Sequence, residues 1–255
     1  MKSKAPEQCQ LCSLYYEAEN FCAKLSGREL DELHARSRLV SIKRGQMLND
    51  DVLERWPILA IDSGVLCLRN LLHDGRRTIA AFFLRGDILD MRAAENRRLG
   101  DLIALSPVSL CRLSPEVFDH ILSVNPRART VAWKSLSGQA YRALSHASDL
   151  AKKQALEKLA SFVFECRRRQ KGLNREHVEI PIRRRDLAEY LGMQPETVSR
   201  CFRDLEERAI IKVSDLSVIR ILDLPALRRI ANGDRVLQAL GQVPDPVFKI
   251  VTKEA

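Results

Sequence analysis

The feature that most constrains this chain is residues 185–205, whose pattern predicts a helix, a tight turn and a second helix. One side of the first helix is apolar, and it is formed by Leu187, Ala188 and Leu191. Gly192 falls at the turn, where a residue must tolerate a positive φ. Pro195 suits the first turn of the next helix, because the N–H that it lacks has no partner there. The segment therefore predicts a helix-turn-helix.

The second helix of this motif separates its apolar residues from its polar residues. Its inward face consists of Val198, Phe202 and Leu205, at intervals of four and three residues. Its outward face carries Glu196, Ser199, Arg200 and Arg203. Arginine can donate to both acceptors of guanine, glutamate can accept from cytosine N4, and serine can bond either partner. This face predicts a helix that reads double-stranded DNA, in preference to an ordinary surface pair of helices.

Short β-branched runs on both sides of the motif predict a winged version of it. Ile210–Val213 and Val218–Leu222 are joined by Ser214–Ser217, a pattern typical of a β-hairpin that follows the second helix directly. Before the motif, Val178–Ile182 alternates like a strand, and its Pro181 restricts it to the edge of a sheet.

Length and charge agree with a DNA-binding protein of two modest domains. The chain has 255 residues and a net charge of +9. Residues 151–255 contain 21 Lys and Arg against 15 Asp and Glu, whereas residues 1–150 contain 21 against 18. The shorter part therefore carries most of the positive excess, as a surface that meets phosphates requires. The sequence shows no signal peptide and no run of about 18 apolar residues, so we expect a cytoplasmic protein that does not enter a membrane.

Residues 25–115 are rich in short apolar runs separated by glycines, which predicts a small β-barrel or sandwich. The clearest runs are Ile58–Ile61, Gly64–Leu68, Thr78–Leu84 and Val108–Leu113. Leu72–Gly75 predicts the tip of a hairpin, because Asp-Gly favours a tight turn. From Pro115 onward the pattern becomes helical.

Residues 133–150 carry a heptad pattern of apolar residues. The repeating positions are Trp133, Leu136, Ala140, Ala143, Ala147 and Leu150. The alanines allow a partner helix to approach closely, so the stripe predicts a homodimer through a pair of long helices. A two-fold pair would also set two recognition helices one DNA turn apart. The alternative is that the stripe packs on the barrel of its own chain.

The cysteines are an odd number, seven, in a chain with no export signal, which favours thiols or metal ligands over a disulfide framework. Cys9, Cys12 and Cys22 lie near the N-terminus, and Cys111 falls in the last predicted strand of the barrel. Cysteine ligands suit an iron–sulfur cluster or a tetrahedral zinc ion. The alternative is that Cys111 packs in its strand and the N-terminal thiols have no joint role.

Several segments of the chain resemble the CRP/FNR family of bacterial transcription regulators. These segments are Ile61–Gly64, Phe83–Asp87, Ser137–Gly138, Ala155–Phe162 and Tyr190–Arg200. The most specific match is Glu196-x-x-Ser199-Arg200, which is typical of the FNR branch. The resemblance implies an α+β fold with a jelly-roll β-barrel like those that bind cyclic nucleotides, a dimerisation helix and a winged helix-turn-helix. We place these parts at residues 25–126, 127–150 and 151–255, after a cysteine-bearing segment at residues 1–24.

The resemblance also implies a function. It implies binding to an inverted repeat of TTGAT type, with Glu196, Ser199 and Arg200 as base readers and RNA polymerase as a partner. Oxygen-sensing members hold a [4Fe–4S] cluster with N-terminal cysteines and one cysteine of the last barrel strand. The implied ligands here are Cys9, Cys12, Cys22 and Cys111, although the gap before Cys22 is longer than in those members. FixK-like members without a cluster, controlled by protein level or by a thiol switch, are the alternative.

Cyclic-nucleotide control and catalysis are not expected. CRP-like barrels hold the nucleotide through a Gly-Glu pair followed by an arginine, and residues 88–101 contain no such pair. We therefore expect Arg92, Arg97 and Arg98 to be solvated. No nucleophile–base pairing, phosphate loop or His-Glu metal motif is visible, so we expect a protein that is not an enzyme.

The remaining cysteines and one histidine have lesser roles in this interpretation. Cys67 is predicted to pack in a strand, and Cys166 and Cys201 are placed on helices of the DNA-binding domain. Cys201 follows the reader Arg200, which makes it a candidate redox-sensitive thiol near DNA. His73 is a candidate haem ligand by analogy with carbon-monoxide-sensing relatives, but an exposed histidine at a hairpin tip is more often solvated.

Overall fold

The computed structural model describes residues 12–17, 19–92, 100–170, 177–215 and 218–234. The strands are β1 (Ser37–Ile42), β2 (Ile58–Ser63), β3 (Val65–Leu71), β4 (Arg77–Leu84), β5 (Ile88–Asp90), β6 (Asp101–Ala104), β7 (Val108–Leu113), β8 (His177–Glu179), β9 (Ile211–Asp215) and β10 (Val218–Ile221). The α-helices are α1 (Ser13–Tyr16), α2 (Gly27–Ala35), α3 (Asp50–Arg55), α4 (Pro115–Val124), α5 (Pro126–Lys152), α6 (Ala155–Arg169), α7 (Arg184–Leu191), α8 (Pro195–Glu207) and α9 (Leu224–Ala231). None of these helices is long and apolar enough to cross a membrane. The order of the elements confirms the predicted α+β class.

The N-terminal domain consists of two antiparallel sheets that face each other, as in a jelly roll. One sheet has the strand order β1-β7-β2-β5 and the other has the order β4-β3-β6. Large buried side chains from both sheets fill the space between them, and they include Leu59, Ile61, Leu66, Leu102 and Leu110. Within the described residues the strands form these two sheets and do not close into a continuous barrel. We keep the name barrel domain for this part of the chain.

Two turns of the barrel domain require glycine. Gly75 lies in the predicted hairpin between β3 and β4, where its N–H donates to the carbonyl oxygen of Leu72 at 2.9 Å. Its φ is +83°, and a Cβ at this position would have no neighbour within 4 Å. Gly64 joins β2 to β3 with a φ of +84°, and there a Cβ would lie 2.1 Å from the carbonyl oxygen of Pro107. Gly64 is therefore required by close approach as well as by backbone conformation.

The long helix α5 has 27 residues, and one side of it packs on the barrel domain. Ala128 and Ala132 are buried in the same apolar cluster as residues of β2 and β7. Further along, two side chains reach the edge strand β5. The N–H of Ile88 donates to Ser135 Oγ at 3.0 Å, and Gln139 Nε2 donates to the carbonyl oxygen of Ile88 at 2.7 Å. Side chains of the helix thus satisfy backbone groups of the edge strand.

Most of the predicted heptad stripe lies on the exposed side of α5. Its exposed members are Trp133, Ala140, Ala143, Ala147 and, at 38% exposure, Leu150. Leu136 is half-buried, and Leu150 lies beside the helix-turn-helix, with its Cδ2 3.4 Å from the position of a Cβ on Gly192. The exposed side also includes Tyr141 and Leu144, which are 66% and 73% exposed. The apolar surface of α5 is therefore rotated slightly from the stripe that the sequence predicts.

The C-terminal domain packs α6, α7, α8 and α9 around the sheet β8-β10-β9. Strand β8 lies at the edge of this sheet, as predicted, but it ends at Glu179, before Pro181, and β9 and β10 form the predicted hairpin. An apolar cluster continues from the sheet β4-β3-β6 into this domain. The ring centroid of Phe82 on β4 lies 4.5 Å from that of Tyr190 on α7 and 5.8 Å from that of Phe162 on α6. The two domains therefore share a core.

Candidate DNA-binding surface and cysteine site

Helices α7 and α8 form the predicted helix-turn-helix. Helix α7 ends at Gly192, which adopts the left-handed conformation with a φ of +63°. The N–H groups of Gly192 and Met193 both donate to the carbonyl oxygen of Ala188, so the turn satisfies the end of the helix. Helix α8 begins at Pro195, which occupies its first turn. The roles that the sequence predicts for Gly192 and Pro195 are confirmed.

The two faces of α8 also separate as predicted. Its buried residues are Val198, Cys201, Phe202 and Leu205. The side chains of Glu196, Ser199, Arg200 and Arg203 are all exposed on the other face. Ser199 Oγ donates to the carbonyl oxygen of Pro195 at 3.0 Å, which holds the hydroxyl against the helix while its lone pairs stay open. In the part of the chain that the structure describes, no ion pair within 4.0 Å involves Glu196 or Arg200.

Sequence reasoning missed an arginine that packs against this helix and two cations on the hairpin next to it. The guanidinium carbon of Arg184, the first residue of α7, lies 3.2 Å from the centroid of the Phe202 ring. Burial lowers the pKa of Arg184 to about 10, and the stacking fixes α7 against α8. On the adjoining hairpin, Lys212 and Arg220 are exposed and face each other across β9 and β10. Cations in such a wing are suited to phosphate contacts. Helical spacing alone does not distinguish Arg184 from its neighbours Arg183 and Arg185.

The described cysteines of the predicted ligand set lie on one side of the barrel domain. Cys12, Cys22 and Cys111 are half-buried and pack against the apolar cluster that contains Ala128 and Ala132 of α5. Cys12 Sγ donates to Asp62 Oδ1 at 3.4 Å. Burial is the main cause that raises the pKa of the Cys12 thiol to about 12, and the nearby Asp62 and Cys111 act in the same direction. Cys9 lies outside the described residues.

These thiols are not arranged as a preformed metal site. Among the residues that the structure describes, no three His, Cys, Asp or Glu side chains are grouped closely enough to hold a metal ion. The donor type fits an iron–sulfur cluster, because three thiols border one apolar surface and a fourth cysteine lies upstream of Cys12. The ligand set Cys9, Cys12, Cys22 and Cys111 therefore stays a prediction.

The other cysteines are packing residues in the described structure. Cys67 and Cys166 are buried, and burial raises the pKa of each thiol to about 12. Cys201 is also buried and faces away from the reader side of α8, with its pKa raised by burial. This placement corrects the expectation of a redox-sensitive thiol beside the DNA, because a buried thiol with a raised pKa forms little thiolate.

The arginine predicted to be solvated in the barrel has partners. Arg92 is exposed, as expected, and it bonds to Asp90 and Asp119, with its Nη1 2.6 Å from Asp119 Oδ2. A cation whose carboxylate partners already surround it is poorly placed to bind a nucleotide phosphate. Arg97 and Arg98 lie outside the described residues. His73 is exposed at the hairpin between β3 and β4.

Comparison with known proteins agrees with this fold. The family described as the Crp-like helix-turn-helix domain matches residues 157–230. The chain is 31% identical over 211 residues to the nitrogen fixation regulation protein FixK of Bradyrhizobium diazoefficiens, covering 80% of this chain and 86% of that protein. It is 28% identical over 231 residues to the fumarate and nitrate reduction regulatory protein of Escherichia coli K12, covering 89% of this chain and 91% of that protein.

Solved structures show the same architecture. FixK2 from Bradyrhizobium japonicum superposes with a TM-score of 0.65 at 24% identity, over 76% of this chain and 96% of that chain. A CooA mutant from Carboxydothermus hydrogenoformans superposes with a TM-score of 0.60 at 18% identity, over 76% and 88%. The relatives are regulatory proteins, which supports the prediction that this chain is not an enzyme. The chain belongs to the CRP/FNR family of transcription regulators, and it binds DNA through its helix-turn-helix.

Proposed function

We propose that the protein recognises an inverted repeat of TTGAT-type half-sites and that Glu196, Ser199 and Arg200 contact base edges. The observation that carries this proposal is the exposed polar face of α8, whose opposite face is buried in the domain core. Arg200 is suited to guanine and Glu196 to cytosine, because the first donates two hydrogen bonds and the second accepts one. Lys212 and Arg220 of the wing would contact phosphates and orient the domain.

The second part of the proposal is a homodimer through α5. The exposed apolar side of this helix, which we call the dimer surface, consists of Trp133, Ala140, Tyr141, Ala143, Leu144 and Ala147. Leu136 and Leu150, the other members of the predicted stripe, border it from the side of the chain's own domains. A two-fold pair of α5 helices would present two copies of α8 to successive half-sites. RNA polymerase is the partner that the resemblance to the family implies for the bound dimer.

The third part concerns sensing. We propose that Cys9, Cys12, Cys22 and Cys111 hold a [4Fe–4S] cluster and that oxygen reverses dimer formation by removing it. Such a cluster would supply sensitivity to oxidants when bound. The support from this chain is the position of Cys12, Cys22 and Cys111 against the cluster of apolar residues that also holds Ala128 and Ala132. Ligation at these thiols would order the packing at the N-terminal end of α5 and favour the dimer.

A cluster-free regulator is the second candidate. Two observations favour it: the 31% identity to a FixK protein, and the lack of a preformed metal group among the described residues. In this case the half-buried thiol of Cys12, bonded to Asp62, would serve packing or a thiol switch. DNA recognition is the same in both candidates.

The deciding experiment is anaerobic purification with quantification of iron, sulfide and zinc, and a visible spectrum before and after exposure to air. Four irons and four sulfides per chain, with absorbance lost in air, are expected for the cluster. Cys12→Ser should then lower the iron content and the anaerobic affinity for the inverted repeat, whereas Cys67→Ala removes a thiol outside the ligand set and should retain both. A colourless, iron-free protein that binds the repeat would establish the second candidate, and zinc alone would point to a tetrahedral zinc site.

A further inference from the structure

The carboxylate of Asp87 joins three separate elements of the chain. Asp87 lies in the turn between β4 and β5 and is only 7% exposed. Its Oδ2 accepts a hydrogen bond from the N–H of Leu84 at 2.9 Å. Its Oδ1 lies 3.1 Å from Arg142 Nη2, and its Oδ2 also bonds Arg169 Nη2. One buried carboxylate thus connects the barrel domain to a residue of α5 and to the last residue of α6.

Both arginines depend on this carboxylate. The side chains of Arg142 and Arg169 are 21% and 15% exposed. Burial lowers the pKa of Arg142, the charge of Asp87 acts in the opposite direction, and the charge of Arg169 lowers it further. In the described residues, Asp87 is the only carboxylate within 4.0 Å of either guanidinium. Without its negative charge, two cations from different domains would face each other in a partly buried site.

These bonds span the hinge between the dimer helix and the DNA-binding domain. Helix α5 ends at Lys152 and α6 begins at Ala155, so two extended residues join them. Arg142 precedes this connection and Arg169 follows it at the far end of α6. A two-residue connection leaves rotation of the domain possible, because each extended residue has two soft dihedral angles. The shared apolar core holds the DNA-binding domain against the barrel domain, and Asp87 adds a restraint on that rotation because it bonds to both sides of the hinge.

We propose that Asp87 is a positioning residue for DNA binding, which holds each DNA-binding domain at a fixed orientation to the dimer helix. The inference rests on the proposed homodimer at an inverted repeat. The centres of its two half-sites lie about 34 Å apart. An error of about one tenth in that separation equals the rise of one base pair. Fixed domain orientation is therefore what lets a dimer distinguish the correct spacing of half-sites from a wrong one.

The test compares Asp87→Asn, which keeps the size and removes the charge, with the wild-type protein. Binding is measured to three duplexes: the inverted repeat, the same repeat with one inserted base pair, and a single half-site. The wild-type protein should prefer the first over the second. In Asp87→Asn this preference should fall at least tenfold, while affinity for the single half-site stays within about twofold. A general loss of stability would instead weaken binding to all three duplexes together.

A matched control is Asp74→Asn, which breaks the exposed pair of Asp74 with Arg76 in the same domain and should retain the spacing preference. Should Asp87→Asn fail to fold, Arg142→Gln removes one of the two bonds and leaves a neutral pair of Asp87 and Arg169. It should lower the preference at least threefold. If Asp87→Asn and Arg142→Gln both fold and keep the wild-type preference for the correct spacing, the proposed role of Asp87 is wrong, while recognition of the repeat by a dimer still stands. A wild-type protein without any spacing preference would overturn the proposed dimer recognition, and this inference with it.

Discussion

Replacing Arg200 by alanine should remove base discrimination without weakening the fold. Arg200 is exposed, and within the described ranges it makes no ion pair, so the free protein loses little stability. A bidentate contact of arginine with guanine is worth about 1–3 kcal/mol of discrimination. A homodimer on an inverted repeat makes this contact twice, so the loss should be about 2–6 kcal/mol per dimer. This corresponds to at least about 30-fold in affinity for the repeat.

Fluorescence anisotropy with labelled duplexes measures the effect. Affinity is determined for the inverted repeat, for a repeat with the contacted guanine replaced, and for random DNA. The matched control is Arg208→Ala, which removes the same charge just beyond the end of α8, where Arg208 Nε pairs with Asp204 Oδ1 at 2.6 Å. Arg200→Ala should bind the first two duplexes equally, while the control still distinguishes them. An equal loss on specific and random DNA would show that Arg200 contacts phosphate, and the assignment as base reader would be wrong.

Two further predictions follow from packing. Gly64→Ala and Gly75→Ala impose the same strain at positive φ, about 1–2 kcal/mol, but only the first meets Pro107. Gly64→Ala should therefore lower the melting temperature more than Gly75→Ala by at least about 2 °C, because overpacking adds about 1–3 kcal/mol; equal melting temperatures would contradict this. Leu144→Ser should weaken the dimer at least about 100-fold in sedimentation experiments, since each of the two protomers loses about 1.5–3 kcal/mol of burial, whereas Leu71→Ser, at an exposed site outside α5, should not.

The helix-turn-helix could be predicted because its signals are local. The left-handed Gly192, the Pro195 in the first turn of α8 and the spacing of buried residues all act within a few positions of the chain. The same spacing also shows why the expectation for Cys201 failed. Cys201 lies three residues after Val198 and four before Leu205, which places it on the buried face of the helix. Cys201 follows Arg200 in the sequence, but the two side chains lie on different faces of the helix.

The docking of the DNA-binding domain on the barrel domain could not be predicted, because its contacts join residues that are far apart in sequence. Arg69 Nη2 on β3 lies 2.7 Å from Asp186 Oδ1 on α7, and Arg69 Nε lies 3.2 Å from Glu189 Oε2. The second contact is an ion pair without hydrogen-bond geometry. In the sequence, these three residues look like ordinary solvated charges. Their partial burial arises only when the two domains meet.

The strand register connects the cysteine site to the dimer helix. Ala60 of β2 is paired with Cys111 of β7 on one side and with Ile88 of β5 on the other. Adjacent strands lie about 4.8 Å apart, so Cys111 and Ile88 are separated by only about 10 Å. The edge of β5 that faces away from β2 is bonded to Ser135 and Gln139 of α5. Because β5 has helix side chains instead of another strand on that edge, only β2 and β5 lie between Cys111 and these side chains of α5. The residue before Ile88 is Asp87, which bonds Arg142 of α5 and Arg169 of α6.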